Sequence, residues 1–397
     1  MRTLLVSPRQ CWPPVSGAKL REYHLARALG TRGETTLIFL AARDGPVPTL
    51  ADLPFCRRLI PVPAPKPYTP GKILRGLVGR WPLPVLNFDS APMKAALAEL
   101  LSREQFDLIQ MEYIGMAAYM PVLRAASQAP IVLDWHNIDS ELMDRYSQAA
   151  TSPLRRWYAG HTARRLAALE EQMLGETFGH IVCSERERGQ LKAIAPRARV
   201  AVIENGVDAD YLRPPEGVPG VRRHLVFVGS MNYHANVDAA VSFVRTVWPA
   251  VRARFPEWGI SIVGSNPTPE VLALHGENGV EVTGTVEDVR QHYRRAIAAI
   301  VPLTVGGGTR LKILEAMAAG VPVVSTAIGA EGLSVTGGRE ILIANDVAAW
   351  TRSLEQVALD STLRSRMIAA SLDLVRSRYD WNAIGESLWQ TYREWLR

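Results

Sequence analysis

The sequence predicts an α/β protein built from two doubly wound domains, each a parallel sheet covered by helices. Short apolar runs alternate with helical patterns along the whole chain, which is typical of parallel sheets. A length of 397 residues is too great for one compact core. Residues 212–223, with three prolines, two glycines and no periodic pattern, separate the two alternating regions. We therefore expect a first domain over 1–205, a linker over 206–223, a second domain over 224–378 and a terminal helix within 379–397.

Composition favours a globular protein in a reducing compartment. Hydrophobic residues make up 47% of the chain and charged residues 21%, which is enough apolar material for two cores. The three cysteines are odd in number and far apart, so they fit neither a disulfide framework nor a zinc site. The apolar run at the start is too short for a signal peptide, and no run approaches the roughly 20 apolar residues that span a bilayer. We expect a cytoplasmic protein.

The charge is concentrated in the first half. Residues 1–204 carry 26 Lys and Arg against 19 Asp and Glu, whereas residues 205–397 carry 19 against 20. This asymmetry predicts an anionic partner for the first half, such as membrane lipid or a phosphorylated acceptor, although a solvated basic surface explains it equally well. Within it, residues 61–84 combine prolines with the amphipathic stretch KILRGLVGRW. That pattern suits a peripheral contact at the inner face of a membrane, or an ordinary lid loop or surface helix.

Strands of the first half are predicted at 2–7, 35–41, 56–62, 106–112, 130–134, 180–184 and 200–203. The first helix, at 19–29, has Leu20, Tyr23, Leu25 and Leu29 at helical spacing, and Gly17 lies just before it. A second helix is predicted at 152–175, with paired arginines around Trp157 and Tyr158. Basic and aromatic residues on one helix are too common to indicate nucleic-acid binding, and we expect no nucleic-acid partner.

His136 follows the strand at 130–134, with Asp134 and Asn137 beside it. Parallel sheets bind ligands beyond the carboxyl ends of their strands, so His136 is a candidate for chemistry. A structural histidine whose hydrogen bonds are satisfied is the alternative interpretation.

Strands of the second half are predicted at 225–228, 260–263, 280–282, 296–303, 322–326 and 340–343, and helices at 236–247, 286–298 and 382–396. The most informative stretch is 305–320, VGGGTRLKILEAMAAG, in which Gly306, Gly307, Gly308 and Thr309 connect a strand to a helix. Free backbone N–H groups at such a turn form an anion site. Arg310 and Lys312 put two cations in the first helical turn, where the helix dipole disfavours them, so we expect an anionic ligand to offset that cost.

The order of several short motifs carries a resemblance to a known family. PPVSGAKLR, DWHN and ENGVDADY in the first half are followed by FVGSMNYHANVDA, VTGTVEDV and GGGTRLKILEAMAAGVPVVST in the second. Together they resemble the glycosyltransferase family 4 group, retaining enzymes with the GT-B fold. The resemblance implies two Rossmann-like domains facing a cleft, with the donor held mainly by the second and the acceptor by the first. It also implies that the terminal helix crosses back to the first domain.

Residue roles follow from the resemblance. Glu315 matches the glutamate that hydrogen-bonds the donor ribose, although a pair with Lys312 on the helix surface is the alternative. The turn that reads the base corresponds to Thr283, Gly284 and Thr285. Gly17 matches the glycine that approaches the diphosphate, and His136 the histidine that faces the donor sugar. The implied donor site also includes Gly229, Ser230, Gly306, Gly307, Gly308, Thr309 and Lys312.

Two departures from the family pattern lead to a hypothesis. Gly307 replaces a glutamate that usually contacts the sugar, and the stretch GSMNYHAN lacks the Arg and Lys that usually hold the diphosphate. We expect Arg310 and Lys312 to replace these cations, with Arg310 as the one aimed inward.

The expected function is retaining transfer of a sugar from a UDP- or GDP-type nucleotide sugar to an acceptor hydroxyl, in polysaccharide or glycolipid assembly. His136, Arg310 and Glu315 are the candidate catalytic residues, and the acceptor is a saccharide, a lipid-linked glycan or a small molecule. No metal and no cofactor besides the donor are expected, since the DxD pattern at 208–210 belongs to the NGVD segment and is interpreted as structural. The alternatives are a nucleotide-sugar epimerase on the same fold and a non-catalytic donor-binding subunit.

Overall fold

The computed structural model of the protein describes residues 1–43, 45–214, 223–305 and 310–397. These residues form two compact units. One comprises Met1–Glu204 together with Gly385–Arg397, and the other comprises Asn205–Ile384.

The first unit is a doubly wound parallel sheet. Its strands are β1 (Arg2–Ser7), β2 (Glu34–Ala41), β3 (Arg58–Pro63), β4 (Leu108–Glu112), β5 (Ile131–Asp134), β6 (Gly179–Val182) and β7 (Val200–Val202). Their order is β3-β2-β1-β4-β5-β6-β7, and every pairing is parallel. Because the winding reverses between β1 and β4, the ends of these strands frame the switch point where such sheets bind ligands.

Helices cover both faces of this sheet. They are α1 (Gly17–Gly30), α2 (Pro70–Val78), α3 (Leu83–Leu86), α4 (Ala91–Arg103), α5 (Met120–Ala126), α6 (Asp139–Ala149), α7 (Pro153–Glu176) and α8 (Glu185–Ile194), with a 3₁₀ turn at Ile114–Tyr119. Several begin where the sequence provides an N-cap: the hydroxyls of Thr69, Ser90 and Ser184 accept backbone N–H groups of α2, α4 and α8.

The second unit repeats the architecture. Its strands are β8 (His224–Val228), β9 (Gly259–Val263), β10 (Val280–Gly284), β11 (Ala296–Val301), β12 (Val323–Ser325) and β13 (Ile341–Ile343). The order β10-β9-β8-β11-β12-β13 is parallel throughout, with the reversal between β8 and β11. The prediction of two doubly wound parallel sheets is confirmed.

The helices of the second unit follow the same alternation. They are α9 (Ala209–Leu212), α10 (His234–Ser242), α11 (Trp248–Arg254), α12 (Pro269–Leu272), α13 (Arg290–Arg295), α14 (Leu311–Ala318), α15 (Ala327–Ala330), α16 (Val347–Leu359) and α17 (Ser361–Leu374). A 3₁₀ turn lies at Glu277–Gly279, and π-helical turns at Phe243–Val247 and Val375–Tyr379. The last helix, α18 (Trp381–Trp395), begins in the second unit and continues in the first from Gly385 onward.

Three sequence expectations differ from the structure. The start of the predicted linker is ordered within the second unit, where Val207 bridges Asp380 and Asp208 caps α9. The helix expected at 286–298 is confined to α13, because Ala296 already pairs with His224 in the sheet. Arg310 is not in the first turn of α14 but precedes it as the N-cap residue.

The buried face of α1 also differs from the prediction. Leu25 and Leu29 are buried as expected, but Leu20 and Tyr23 are only partly covered, and the charged Arg21 and Glu22 lie inside instead. A hydrophobic period alone could not reveal this, since the charges are buried by partners from other strands.

Among the described residues, no helix combines the length and apolar character needed to cross a membrane. The buried cysteines Cys11, Cys56 and Cys183 all belong to the first unit.

Candidate functional site

A cluster of buried charged groups lies at the ends of β4 and β5. Glu112 and Asp134 end these neighbouring strands and are directly opposite each other in the register, so their carboxylates emerge at the same edge. His136 follows two residues later, and its Nε2 is 3.0 Å from Glu112 Oε2 and 3.7 Å from Asp134 Oδ2. The three side chains are at most 6% exposed. Asp134 therefore lies near His136, as the sequence indicated, but the side chain that is hydrogen-bonded to His136 is Glu112.

Arg21 neutralises part of this acidic cluster. Its guanidinium donates to both carboxylate oxygens of Asp134, at 2.7 and 2.9 Å, and to the carbonyl of Ile203 at 2.7 Å. A bidentate pair with both members buried is strong and directional. Helix α1 is thus fixed to β5 by the arginine of the SGAKLR motif.

A chain of hydrogen bonds connects the last helix to His136. The Tyr392 hydroxyl donates to Gln110 Oε1 at 2.6 Å, and Gln110 Nε2 donates to Glu112 Oε1 at 2.5 Å. The other oxygen of Glu112 contacts His136. Tyr392, Gln110 and Glu112 are all buried. The orientation of the histidine is therefore supported from α18 through two residues of β4.

The electrostatics favour a proton held between His136 and Glu112. Burial alone would lower the pKa of His136, but the carboxylates of Asp134, Glu112 and Glu22 outweigh it and raise that pKa. Burial and the nearby Asp134 raise the pKa of Glu112 to about 7. Burial and neighbouring charge thus raise the pKa of both groups, and each depends on the charge of the other.

The oxygens and nitrogen of Glu112, Asp134 and His136 also lie within 4.8 Å of one another, close enough to be ligands of one metal ion. Both oxygens of Asp134 are already bonded to Arg21, however, and the acidic surroundings of His136 stabilise its protonated form. A cation would have to displace that guanidinium contact and the proton, so the donor set fits an ion-pair network better than a metal centre.

Gly17, the expected glycine of the first unit, is the first residue of α1 and is exposed. It lies in the connection that follows β1, at the switch point of the sheet.

In the second unit, three glycines join the loops that follow β8, β9 and β10. Gly229 N donates to Val263 O at 3.0 Å, and Gly264 N donates to Gly284 O at 3.1 Å. A Cβ at Gly264 would lie 1.6 Å from the carbonyl oxygen of Gly229, and Gly284 has a φ of +69°. Glycine at Gly264 therefore lets the loops after β8 and β9 pack backbone to backbone, and glycine at Gly284 permits the positive φ. The expected residues Thr283 and Thr285 flank Gly284, and Thr285 is exposed.

Lys312 is connected to the loop that follows β8 through Asn236 of α10. Its Nζ donates to Asn236 Oδ1 at 3.2 Å, and Asn236 Nδ2 donates to the carbonyl of Ser230 at 2.9 Å. The Ser230 hydroxyl is exposed and lies 2.9 Å from Asn232 Oδ1. A lysine from α14 therefore supplies a positive charge beside the loop that lacks one in the sequence. Burial, and then Arg310, lower the pKa of Lys312 to about 8.

Arg310 takes a different direction. Its guanidinium donates to the carbonyl of Ile328 in α15 at 3.2 Å, and the residue is 5% exposed. Lys312 contacts Asn236, in the helix that follows β8. The expectation that Arg310 is the cation aimed at the diphosphate stays a prediction.

Glu315 lies one turn after Lys312, where the Tyr293 hydroxyl donates to its Oε2 at 3.4 Å. Burial raises the pKa of Glu315, and the charge of Lys312 opposes that increase. The remaining expected donor residues, Gly306, Gly307, Gly308 and Thr309, lie outside the described residues.

Four residues of the cluster were not predicted from the sequence: Arg21, Gln110, Glu112 and Tyr392. A weak signal existed, since Gln110 and Glu112 interrupt an otherwise apolar buried strand, LIQME. Polar residues on one face of such a strand indicate partners inside the fold.

Comparisons with known sequences agree with this geometry. A family model described as Glycosyltransferase Family 4 matches residues 15–211, and one described as Glycosyl transferases group 1 matches residues 222–360. The chain is 25% identical over 251 residues to a glycogen synthase of Mycobacterium tuberculosis, a match that spans 59% of this chain and 59% of that protein. It is 24% identical over 405 residues to the phosphatidyl-myo-inositol mannosyltransferase of the same species, covering 99% of this chain and 96% of the relative. The match to the glycogen synthase thus covers about three fifths of that protein's own length.

Solved structures share the fold. Sucrose-phosphate synthase from Thermosynechococcus elongatus superposes with a TM-score of 0.72 at 18% identity, over 99% of both chains. HepE from Anabaena, in complex with UDP, gives a TM-score of 0.70 at 15% identity, over 99% of this chain and all of that one. The fold is of the GT-B class. With a family 4 domain followed by a group 1 domain, the chain belongs to the family 4-like glycosyltransferases.

Proposed function

We propose that the protein transfers a sugar, with retention of configuration, from a nucleoside diphosphate sugar to an acceptor hydroxyl. The observation that carries this proposal is the contact of Lys312 with Asn236, which brings a cation to the glycine-lined loop after β8. A departing nucleoside diphosphate needs positive charge and backbone N–H groups at that position. HepE and a trehalose-6-phosphate structure have been solved with UDP or a UDP-sugar, which favours UDP as the first donor to test.

In this proposal the second unit holds the nucleotide. Thr283, Gly284 and Thr285 contact the base through their backbone, Glu315 accepts hydrogen bonds from the ribose hydroxyls, and Lys312 neutralises the diphosphate. Arg310 supports α14 through its bond to Ile328 and adds long-range positive charge.

The first unit faces the sugar. In this proposal His136, oriented by Glu112, donates a hydrogen bond to the donor sugar and holds the ring in place, and Gly17 allows the diphosphate to approach α1. The acceptor hydroxyl attacks from the face that the diphosphate leaves, and the leaving phosphate oxygen takes its proton. No side-chain base is required by this route.

Surface features of the first unit support a peripheral membrane contact as part of the proposal. Helix α2 exposes Leu74 and Val78 to 65% and 83%, and Arg75 is an exposed cation of the same short helix. Apolar residues flanked by cations match an anionic membrane surface.

Incubation with UDP- and GDP-sugars tests the proposal directly. We expect slow release of free nucleoside diphosphate. An interconverted nucleotide sugar would identify an epimerase instead, and binding without turnover would identify a donor-binding subunit.

The role of Lys312 predicts a selective loss of affinity for the diphosphate. We expect Lys312→Met to weaken UDP binding by about 10- to 100-fold, the range of one charge-assisted hydrogen bond, and to leave uridine binding unchanged. Isothermal titration calorimetry measures both ligands. The control is Arg245→Met, an exposed cation of the same unit. Equal losses for UDP and uridine would contradict the assignment.

A further inference from the structure

A large cavity lies in the first unit, next to the histidine cluster. Its volume is about 920 Å³, and it opens beyond the carboxyl ends of the first five strands, beneath α6 and α7. A cavity of this size suits a ligand of several hundred daltons. Tyr113 connects the cavity to the site: it lines the wall, its ring centroid lies 6.2 Å from that of His136, and its hydroxyl donates to Asp139.

The cavity wall is mainly apolar. Aromatic rings, prolines and aliphatic side chains form most of it; the rings are those of Tyr68, Phe88, Tyr113, Tyr146 and Tyr158. Leu142, Met143 and Leu166 add aliphatic surface from α6 and α7.

Several polar groups of the wall are bonded to the protein itself. Asn87 Oδ1 accepts the backbone N–H of Tyr68 at 3.0 Å, the Thr162 hydroxyl donates to the carbonyl of Tyr158 at 2.9 Å, and Arg43 Nε donates to the carbonyl of Ala64 at 3.2 Å. A saccharide hydroxyl that faces the aliphatic side chains or ring faces of this wall has no partner there, and each unpaired buried hydroxyl costs free energy. An aliphatic chain has no such requirement.

The surface beside the cavity has the same character. Arg165 on α7 donates to the carbonyls of Gly76 and Gly79, and His161 contacts Leu77 O at 2.9 Å, so α2 is held against α7. Leu154 and Trp157, at the start of α7, are exposed to 73% and 54%. Arg75 of α2 and Arg155 of α7 are exposed as well, so apolar side chains and cations continue from the cavity onto the outer surface.

We propose that the acceptor is an amphiphile whose aliphatic chain occupies this cavity and whose hydroxyl-bearing head lies toward Tyr113 and His136. This inference rests on the proposed function, because it identifies the acceptor class of that transfer. The cationic surface along α2 and α7 complements the anionic membrane in which such an amphiphile resides.

Binding of straight-chain alcohols tests the cavity without any donor. Calorimetric titration with hexan-1-ol, heptan-1-ol and octan-1-ol is expected to give a Kd that falls about fourfold with each added methylene. Glucose is expected not to compete with octan-1-ol. A Kd independent of chain length, or competition by glucose, would overturn the proposal and point to a saccharide acceptor.

Two variants locate the binding. Leu142→Gln and Tyr146→Gln change exposed residues of the cavity rim, at 53% and 54% exposure, so both are expected to fold. Each is expected to weaken octan-1-ol binding threefold or more, whereas Ile194→Gln, an equally exposed position on α8 away from the cavity, is expected to have no effect. Equal losses in all three variants would indicate non-specific association and overturn the proposal.

The two proposals fail in different ways. Chain-length-dependent binding by a protein that never releases nucleoside diphosphate would leave the cavity assignment standing and remove the transfer. Turnover of a nucleotide sugar, combined with alcohol binding that does not depend on chain length, would support the transfer and overturn the cavity assignment.

Discussion

His136 and Glu112 form a pair whose charge depends on the carboxylates around it. Burial alone would favour neutral forms of both groups, but Asp134 and Glu22 add negative charge next to the imidazole. Arg21 donates a hydrogen bond to each carboxylate oxygen of Asp134. The site is thus a set of buried charges that stabilise one another, and removal of one member changes the protonation of the others.

Glu112→Gln is expected to lower the pKa of His136, since it removes a carboxylate 3.0 Å from the imidazole. We also expect nucleotide-sugar turnover near neutral pH to fall by about 10²-fold, the usual loss when an oriented electrostatic contact is disturbed. NMR titration of the histidine resonances, with His136→Gln for assignment, measures the pKa.

Glu170→Gln is the matched control for that substitution. Glu170 is also buried in the first unit, but it is bonded to Ser140 rather than to the histidine cluster. An unchanged His136 titration in Glu112→Gln, or an equal change in Glu170→Gln, would show that Glu112 does not orient and charge His136.

The pairing of α6 with α7 has a pH dependence of its own. Glu170 on α7 accepts the backbone N–H of Ser140 at 2.9 Å and also its hydroxyl, near the start of α6. Burial is the main cause that raises the pKa of Glu170 to about 7. The folded state therefore binds this proton more tightly than the unfolded chain does. The stabilisation is complete below the ordinary pKa near 4.5 and is lost as the pH rises through 7.

Glu170→Gln is expected to remove this dependence. The free energy of unfolding of the variant, relative to the wild type, should rise between pH 5 and pH 8 by about 3 kcal/mol at most. Urea denaturation across that range measures it. Glu171→Gln, an exposed neighbour on the same helix, should leave the difference constant. A flat difference for Glu170→Gln would mean that its carboxyl titrates normally.

The bounds of the strands and helices show where local sequence patterns are enough to predict the structure. The strands lie where the apolar runs predicted them, to within about two residues at most ends, because a strand buried on both faces must be continuously apolar. The helix after β10 was predicted too long, since apolar residues of β11 fit a helical period equally well. The charged inner face of α1 was missed because Arg21 and Glu22 do not fit a hydrophobic period, although partners elsewhere in the fold bury them.

Across the whole molecule, α18 joins the end of the chain to the first unit. Gly385 packs so closely on Ala28 that a Cβ there would lie 2.6 Å from the alanine Cβ, and a Cβ at Gly179 would lie 2.5 Å from the ring of Trp395. Ile384 and Leu388 are buried along the same helix. Ile384 and Leu388 of the apolar face predicted for residues 382–396 are therefore buried, and the polar side chain of Tyr392 is buried on the same helix.

Tyr392→Phe is expected to destabilise the protein by about 1–3 kcal/mol, because it leaves the buried Gln110 Oε1 without its donor. Urea denaturation measures the loss. Tyr146→Phe, at an exposed position, is the control and should change stability by less than about 0.5 kcal/mol. If both variants unfold alike, the hydrogen-bond chain from α18 to His136 contributes nothing to stability.

The sequence by itself determined the order of strands and helices and the two doubly wound domains. These features depend on residues close together in the chain, where hydrophobic periodicity and turn-forming residues can be identified from the sequence. Only the tertiary structure decided that Glu112 binds His136, that Arg21 binds Asp134, and that Lys312 donates to Asn236 of α10. Those contacts depend on which strands are neighbours and on which way a side chain leaves its helix. Neighbouring strands such as β1 and β4 lie about a hundred residues apart in the chain, so their pairing follows from the packing of the whole unit and not from any local pattern.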